Sequence, residues 1–276
     1  SLRCIPQVHG AVRDAVEQAK RVLEIELNAV TDNPLVFPDR EAEHVEEQVI
    51  SAGHFHGMPL ALAMSYVKAA IPTLASISER RLNKLVDPST NDGLPAFLIG
   101  NEDGTESGHM IVQYTAAAIV NDLASRAHPA SVFSVPTSAN AEDHVSMGAN
   151  EARHVLAMVQ DLGKVLALEL YTAAQALDLR RDMINAARAL SVRTDAEGLA
   201  TKVSGGPSPG AEGRDVFLAE VDALRAALAA SEAFHPGHAV AAAHAAIRAK
   251  IPFLDRDRAL DGEVATAVRL VESGEI

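Results

Sequence analysis

Apolar positions recur with a period near 3.6 along most of this chain. Val12, Val16, Ala19, Val22, Leu23, Ile25, Leu27 and Val30 fall on one face over roughly five turns, which predicts a helix over 12–30. Leu60, Leu62, Met64, Val67, Ile71, Leu74 and Ile77 predict a second over 59–85, with a kink or break at Pro72. A third is expected over 109–128, closed by Pro129, with His109 as a packed helix residue. The longest pattern runs over 147–192, from Val155 and Met158 through Leu177 without a proline. Shorter helices are expected near 215–232, 237–249 and 257–273. These periods predict an all-α fold, an elongated bundle of long helices with irregular loops. A helix of more than 40 residues would be ~60 Å long, too long for a compact monomer of this size, so its apolar faces are expected to meet other subunits.

The breaks in the pattern are as informative. Residues 1–10 read as an extended lead-in, because Pro6 disfavours helix at the residue before it. Thr31-Asp32-Asn33-Pro34 is turn chemistry, and the charged, aperiodic residues 38–48 read as an exposed loop. Ser51 to Pro59 is a glycine-bounded segment in which an extended backbone would put His54 and His56 on one side and Phe55 on the other. A His-x-His pair binds metal only with a third ligand. The long connection 86–107 ends in a glycine-containing polar run, Asn101 to Gly108, but has no G-x-x-x-x-G-K-[ST] and no following strand, so it is not a phosphate loop. Residues 201–214, with Gly205-Gly206-Pro207-Ser208-Pro209-Gly210, read as a flexible surface loop. The chain divides on this reading into a helical-bundle portion with site loops, 1–200, and a C-terminal helical segment, 201–276.

Between two alanine-rich helical patterns lies Ser134-Val-Pro-Thr-Ser-Ala-Asn-Ala-Glu-Asp-His-Val-Ser-Met-Gly148, which sets Glu142, Asp143 and His144 side by side. Read from charge alone it is either a solvated connection whose Asn140 or Asp143 caps the next helix, or a loop whose polar groups have partners to find.

Composition narrows the function. Hydrophobic residues make up 48% of the 276 positions, aromatics only 4%, and tryptophan is absent, so alanine-lined helices must approach closely. The net charge of -13 lacks the basic surface that nucleic acid or an anionic membrane requires. No continuous apolar run approaches the ~20 residues of a membrane span, and no signal-peptide pattern opens the chain. The lone Cys4 excludes an intrachain disulfide framework, so a cytoplasmic setting is expected. The chain opens at Ser1 inside a motif-like stretch, which suggests a piece of something longer.

Several separated motifs, in order, carry a family resemblance over nearly the whole chain. Asn140 to Met147 resembles the Ser-Ala-Asn-Gln-Glu-Asp-His-Val-Ser-Met stretch of histidine ammonia-lyases, within the aromatic amino-acid ammonia-lyase family. Ser1-Leu2-Arg3-Cys4 with Pro6-Gln7 and Gly10 resembles its Y-S-L-R-x-x-P-Q-x-x-G. Glu26-Leu27-Asn28 with Thr31 to Leu35 resembles its E-x-N-x-x-T-D-N-P-L, and Gly53 to Gly57 its G-N-F-H-G. Ser107-Gly108 before Met110-Ile111 resembles S-G-x-M-I, and Ile251 to Leu254 with Asp257-Arg258 completes the series. Two positions depart: His54 stands where the family usually has asparagine, and Ala141 where it has glutamine. The S-S-x-M-P-x-K-x-N loop of the fumarase-aspartase superfamily is missing.

The resemblance implies elimination of ammonia from an amino acid, L-histidine giving urocanate. It implies a 4-methylidene-imidazol-5-one (MIO) electrophile made from an internal Ala-Ser-Gly, and a tetramer whose sites combine loops of several subunits. No Ala-Ser-Gly occurs here. The family carries it, with its catalytic tyrosines, in an N-terminal half, so this chain corresponds to the C-terminal half and is expected to be inactive without the other. By the same resemblance Arg3 grips the substrate carboxylate through a two-pronged donor and Asn33 assists there. Phe55 lies beside the electrophile, and Glu142 receives the imidazole N–H or pairs with imidazolium. Asn140, His56 and His144 support the loop, and no metal is involved. The rival readings are a phenylalanine or tyrosine lyase, a metal-dependent hydrolase built on His54, His56, Glu142 and His144, and a helical scaffold or inactive paralogue.

Overall fold

The computed structural model describes residues 1–38, 41, 43–100, 105–197 and 236–276. Its class is all-α. Helix α1 spans Ile5–Leu27, α2 Met58–Val86, α3 Met110–Arg126, α4 Gly148–Glu197, α5 His238–Arg248 and α6 Asp261–Glu272. The helix expected near 215–232, the loop 201–214 and the run Asn101–Gly104 lie outside the described residues.

Two expectations are corrected. The lead-in is not extended to residue 10, because α1 starts at Ile5 with Pro6 in its first turn. There the missing N–H has no intrahelical partner to lose, so proline fits. Pro72 does not break α2, which is one helix of 29 residues; Ile71 and Ala75 on either side are buried with Leu123, Met158 and Val165, and that packing holds the helix across the lost bond. The segment 38–48 is bounded by a small hairpin, in which β1 (Leu35–Val36) pairs antiparallel with β2 (Val49–Ile50). At 50 residues α4 is ~75 Å long. Although α2 is long and apolar enough to cross a membrane by length and composition, its Ala61, Ile71, Ala75, Ile77 and Leu82 belong to a protein core.

Contacts divide the chain into two compact units. One comprises Ser1–Asn83 with Val112–Glu169, the other Lys84–Ile111 with Leu170–Ile276. The first unit is closed by the apolar cluster of Ile71, Ala75, Leu123, Met158 and Val165. Charge ties support it: Arg81 holds Glu169 at 2.5 and 2.8 Å, and Ser78 donates to the same carboxylate at 2.5 Å.

The second unit is organised on Gln175, which is fully buried and uses its whole amide. Its Nε2 donates to the carbonyls of Leu98 (3.0 Å) and Leu254 (2.8 Å), and its Oε1 accepts from Leu254 N (3.1 Å) and Arg248 (3.0 Å). Asp257 caps the start of α3, taking the N–H groups of Ser107 (2.6 Å) and Gly108 (2.8 Å). Gly108 is required there: at φ +54 a Cβ would lie 2.5 Å from the Phe97 carbonyl oxygen.

Many large apolar side chains of the chain are exposed, among them Leu27, Val45, Tyr114, Phe133 and Leu156.

Candidate active site

The residues singled out in the sequence belong to the first unit, and most are joined by a series of short ties. Asn28 closes α1, its Nδ2 on Glu24 O at 2.7 Å, and the chain then turns at Asn33. The Asn33 side chain reaches the segment before His54: its Oδ1 accepts from Ala52 N (3.1 Å) and from the Ser51 hydroxyl (3.3 Å). A backbone N–H can only donate, so this contact fixes which end of the amide is which, and Nδ2 is the end left as a donor.

His54 and Phe55 form a turn rather than a strand, so they do not alternate as expected. Both are exposed, Phe55 by 56%. His56 bridges the next gap. Its Nδ1 accepts from Met58 N at 3.3 Å, which makes Nε2 the protonated nitrogen, donating to His144 O at 3.0 Å. The two imidazoles stack with centroids 5.5 Å apart. Glycine permits the neighbouring approach, since a Cβ on Gly57 would sit 3.1 Å from Ser146 Oγ.

Glu142 is presented by a tight turn. Thr137 N donates to Glu142 O at 3.0 Å, and Glu142 N returns to Thr137 O at 3.4 Å. The Thr137 hydroxyl is 3.4 Å from Glu142 Oε2. Between them Ser138, Ala139 and Asn140 all have positive φ, at 50°, 53° and 73°. Three consecutive non-glycine residues in the left-handed region are costly, and such strain persists only where the surroundings impose it. The loop does not cap α4 through Asn140 or Asp143; the Gly148 N–H goes instead to Ser146 Oγ at 3.4 Å. Glu142 and Asn140 are exposed.

Arg3 stands apart from the series. It is exposed just before α1 and has no hydrogen bond or ion pair among the described residues. Nor is the hydrolase ligand set assembled. Among the described residues no group of three or more His, Cys, Asp or Glu side chains is placed to hold a metal ion, and His56 has both ring nitrogens on backbone groups.

Beneath the loop lies a charged pair that the periodicity did not single out. Lys68 and Glu151, 1% and 0% exposed, are 3.1 Å apart. The Lys68 ammonium also donates to His128 O at 2.7 Å and to His154 Nδ1 at 3.0 Å. Glu151 Oε1 accepts from Ser131 N at 2.9 Å. Burial pushes the Glu151 carboxyl up, but the Ser131 N–H and the Lys68 ammonium more than offset it, and the group stays below its ordinary value. The signal was present: Lys68 lies four residues after Met64 and three before Ile71, inside an apolar face where a lysine needs a buried partner.

In this helical fold the polar loops of the first unit present exposed donor and acceptor groups, Glu142 and Asn140 among them. The chain belongs to the aromatic amino acid lyase family, whose profile matches residues 1–196; the family is one of MIO-dependent enzymes. It is 56% identical over 180 residues to the histidine ammonia-lyase of Treponema denticola, a match covering 65% of this chain and 34% of that protein. This chain therefore spans about a third of the length of the curated relatives it matches. Among solved structures, the histidine ammonia-lyase of Trypanosoma cruzi superposes with a TM-score of 0.73 at 31% identity, covering 99% of this chain and 42% of that one. The tyrosine aminomutase of Streptomyces globisporus does so with a TM-score of 0.72 at 32% identity, covering 99% and 41%.

Proposed function

We propose that this chain is the C-terminal half of a histidine ammonia-lyase, binding L-histidine for conversion to urocanate and ammonia. The observation that carries the reading is the exposed Glu142 carboxylate on a strained loop tied by His144 to the His56 segment. A carboxylate accepts the N–H of an imidazole and pairs with imidazolium; it has no comparable use for a phenyl ring. Arg3 and the Asn33 Nδ2 supply donors for the substrate carboxylate. His56 is a strut between loops, its ring nitrogens engaged by Met58 N and His144 O.

MIO, when bound, supplies the electrophile that makes the amine a leaving group. It cannot come from these residues, which include no Ala-Ser-Gly, and an N-terminal half is its proposed source. The residues here fit such a group: Phe55 is an exposed ring on the turn that Asn33 anchors. The exposed apolar side chains Leu27, Tyr114, Phe133 and Leu156 support burial against that half and against further subunits, a tetramer in this reading. The cytoplasm is its proposed compartment.

The test is to purify the natural gene product, read its intact mass and peptides, and follow absorbance at the urocanate band after adding L-histidine, with L-tyrosine and L-phenylalanine in parallel. A product bearing a dehydrated Ala-Ser-Gly that forms urocanate, and loses most of that rate on Glu142→Gln, is expected. Turnover of tyrosine alone would move the assignment to the aromatic lyases and aminomutases, and no turnover of any of the three would leave a scaffold.

A further inference from the structure

The loop that carries Glu142 leaves the core near His128 and rejoins it at the start of α4. Both ends meet at one buried point. From α2, the Lys68 ammonium reaches the carbonyl of His128 at 2.7 Å and the carboxylate of Glu151 at 3.1 Å. Glu151, in the first turn of α4, reaches back to the N–H of Ser131 at 2.9 Å. Ser65, three residues before Lys68 on the same helix face, meets Ser131 a second time, hydroxyl to hydroxyl at 3.0 Å. The ammonium also donates to His154 Nδ1 at 3.0 Å.

We infer that Lys68 and Glu151 are positioning residues, a buried ionic clamp that closes the base of the loop and so fixes where Glu142 stands. A buried ion pair is a poor source of net stability, because the cost of removing both charges from water consumes most of their attraction. What it provides is direction: an ammonium set among the His128 carbonyl, His154 Nδ1 and the Glu151 carboxylate accepts one arrangement of those groups, where an apolar contact would accept many. The loop needs such a constraint. It contains four left-handed residues, Ser138, Ala139, Asn140 and Met147, and it meets the His56 segment through the carbonyl and the ring of His144. The kinetic part of this inference rests on the lyase reading; the structural part does not.

The test replaces the pair by apolar groups of similar volume, Lys68→Met with Glu151→Met, which generally preserves packing. The first readout is the side-chain nitrogen spectrum of His56 in the chain itself. The wild type is expected to show a fixed Nε2–H form. In the double variant that signal should average between tautomers while the methyl signals of Leu123 and Met158 keep their positions. The second is histidine turnover in the assembled enzyme, where KM should rise about tenfold or more with a smaller change in kcat. A folded double variant with an unchanged His56 spectrum overturns the clamp. A changed spectrum in an enzyme that turns over no histidine even as wild type upholds the clamp and removes the lyase reading. If the variant does not fold, amide exchange in the wild-type chain decides. Ser131, Thr137 and Val145 should exchange within roughly tenfold of one another, as one cooperative unit; a fast Thr137 and Val145 beside a slow Ser131 would show a loop that moves independently of its base.

Discussion

His56 donates its Nε2–H to the carbonyl of His144 at 3.0 Å, joining two loops 88 residues apart in sequence. Loss of that donor should release the loop. His56→Phe is expected to lower stability by about 1–2 kcal/mol, the cost of leaving His144 O and Met58 N without partners, and to reduce urocanate formation by more than the fraction unfolded explains. Urea unfolding and steady-state rates on the same preparation check both.

Asn33 separates folding from binding. Asn33→Asp keeps the oxygen that Ala52 and Ser51 use but replaces the Nδ2 donor with a second acceptor. Stability should change by no more than about 0.5 kcal/mol, while KM for histidine rises at least about tenfold, because a carboxylate then faces a carboxylate. An unchanged KM would remove Asn33 from the substrate site.

The left-handed turn can be relaxed by glycine. Ala139 sits at φ 53°, ψ 40°, and Ala139→Gly should stabilise by about 0.5–1 kcal/mol. Ala139→Val should destabilise by more than that, since a β-branched residue tolerates the region least. Thermal melts of the two variants should move in opposite directions.

His109 makes the second unit sensitive to acid. It is fully buried, its Nδ1 3.2 Å from the Thr172 hydroxyl and its ring against Tyr171. Burial first, and then Arg248 and Arg258, push the imidazole from 6.5 down to about 3. The folded value lies below the unfolded one, so the unfolded chain binds the extra proton and stability falls as pH drops below 6.5. The loss should reach about 2 kcal/mol at pH 5. His109→Phe should flatten that slope in unfolding measured between pH 7 and pH 5. The Glu151 contribution is lost only at lower pH, as its carboxyl, held below 4.5, protonates.

Gln175 is the polar centre of the same unit. Gln175→Leu would leave the carbonyl of Leu98 and both backbone groups of Leu254 without their partner, and a cost of about 3 kcal/mol or more is expected. Its measure is the shift in the urea midpoint.

Much of the architecture was legible because helical packing repeats in sequence. The expected helices at 59–85, 109–128, 147–192, 237–249 and 257–273 lie close to α2, α3, α4, α5 and α6. The helix at 12–30 was misread only at its ends, where a proline acceptable in a first turn looked like a breaker. The hairpin of β1 and β2 was invisible, since two residues carry no period.

The site divides the same way. Motif order along the chain pointed to the family, and it offered Glu142, His56, His144, Phe55 and Asn33 as candidates, because a motif is a local property. What tertiary structure decided was which atoms meet: the Asn33 oxygen on Ala52, the His56 tautomer set between Met58 and His144, the left-handed turn behind Glu142, and the Lys68–Glu151 pair under its loop. Those contacts join residues far apart in the chain, and their energies depend on burial and direction. Neither quantity is written in the order of the amino acids; both arise only when the helices have packed.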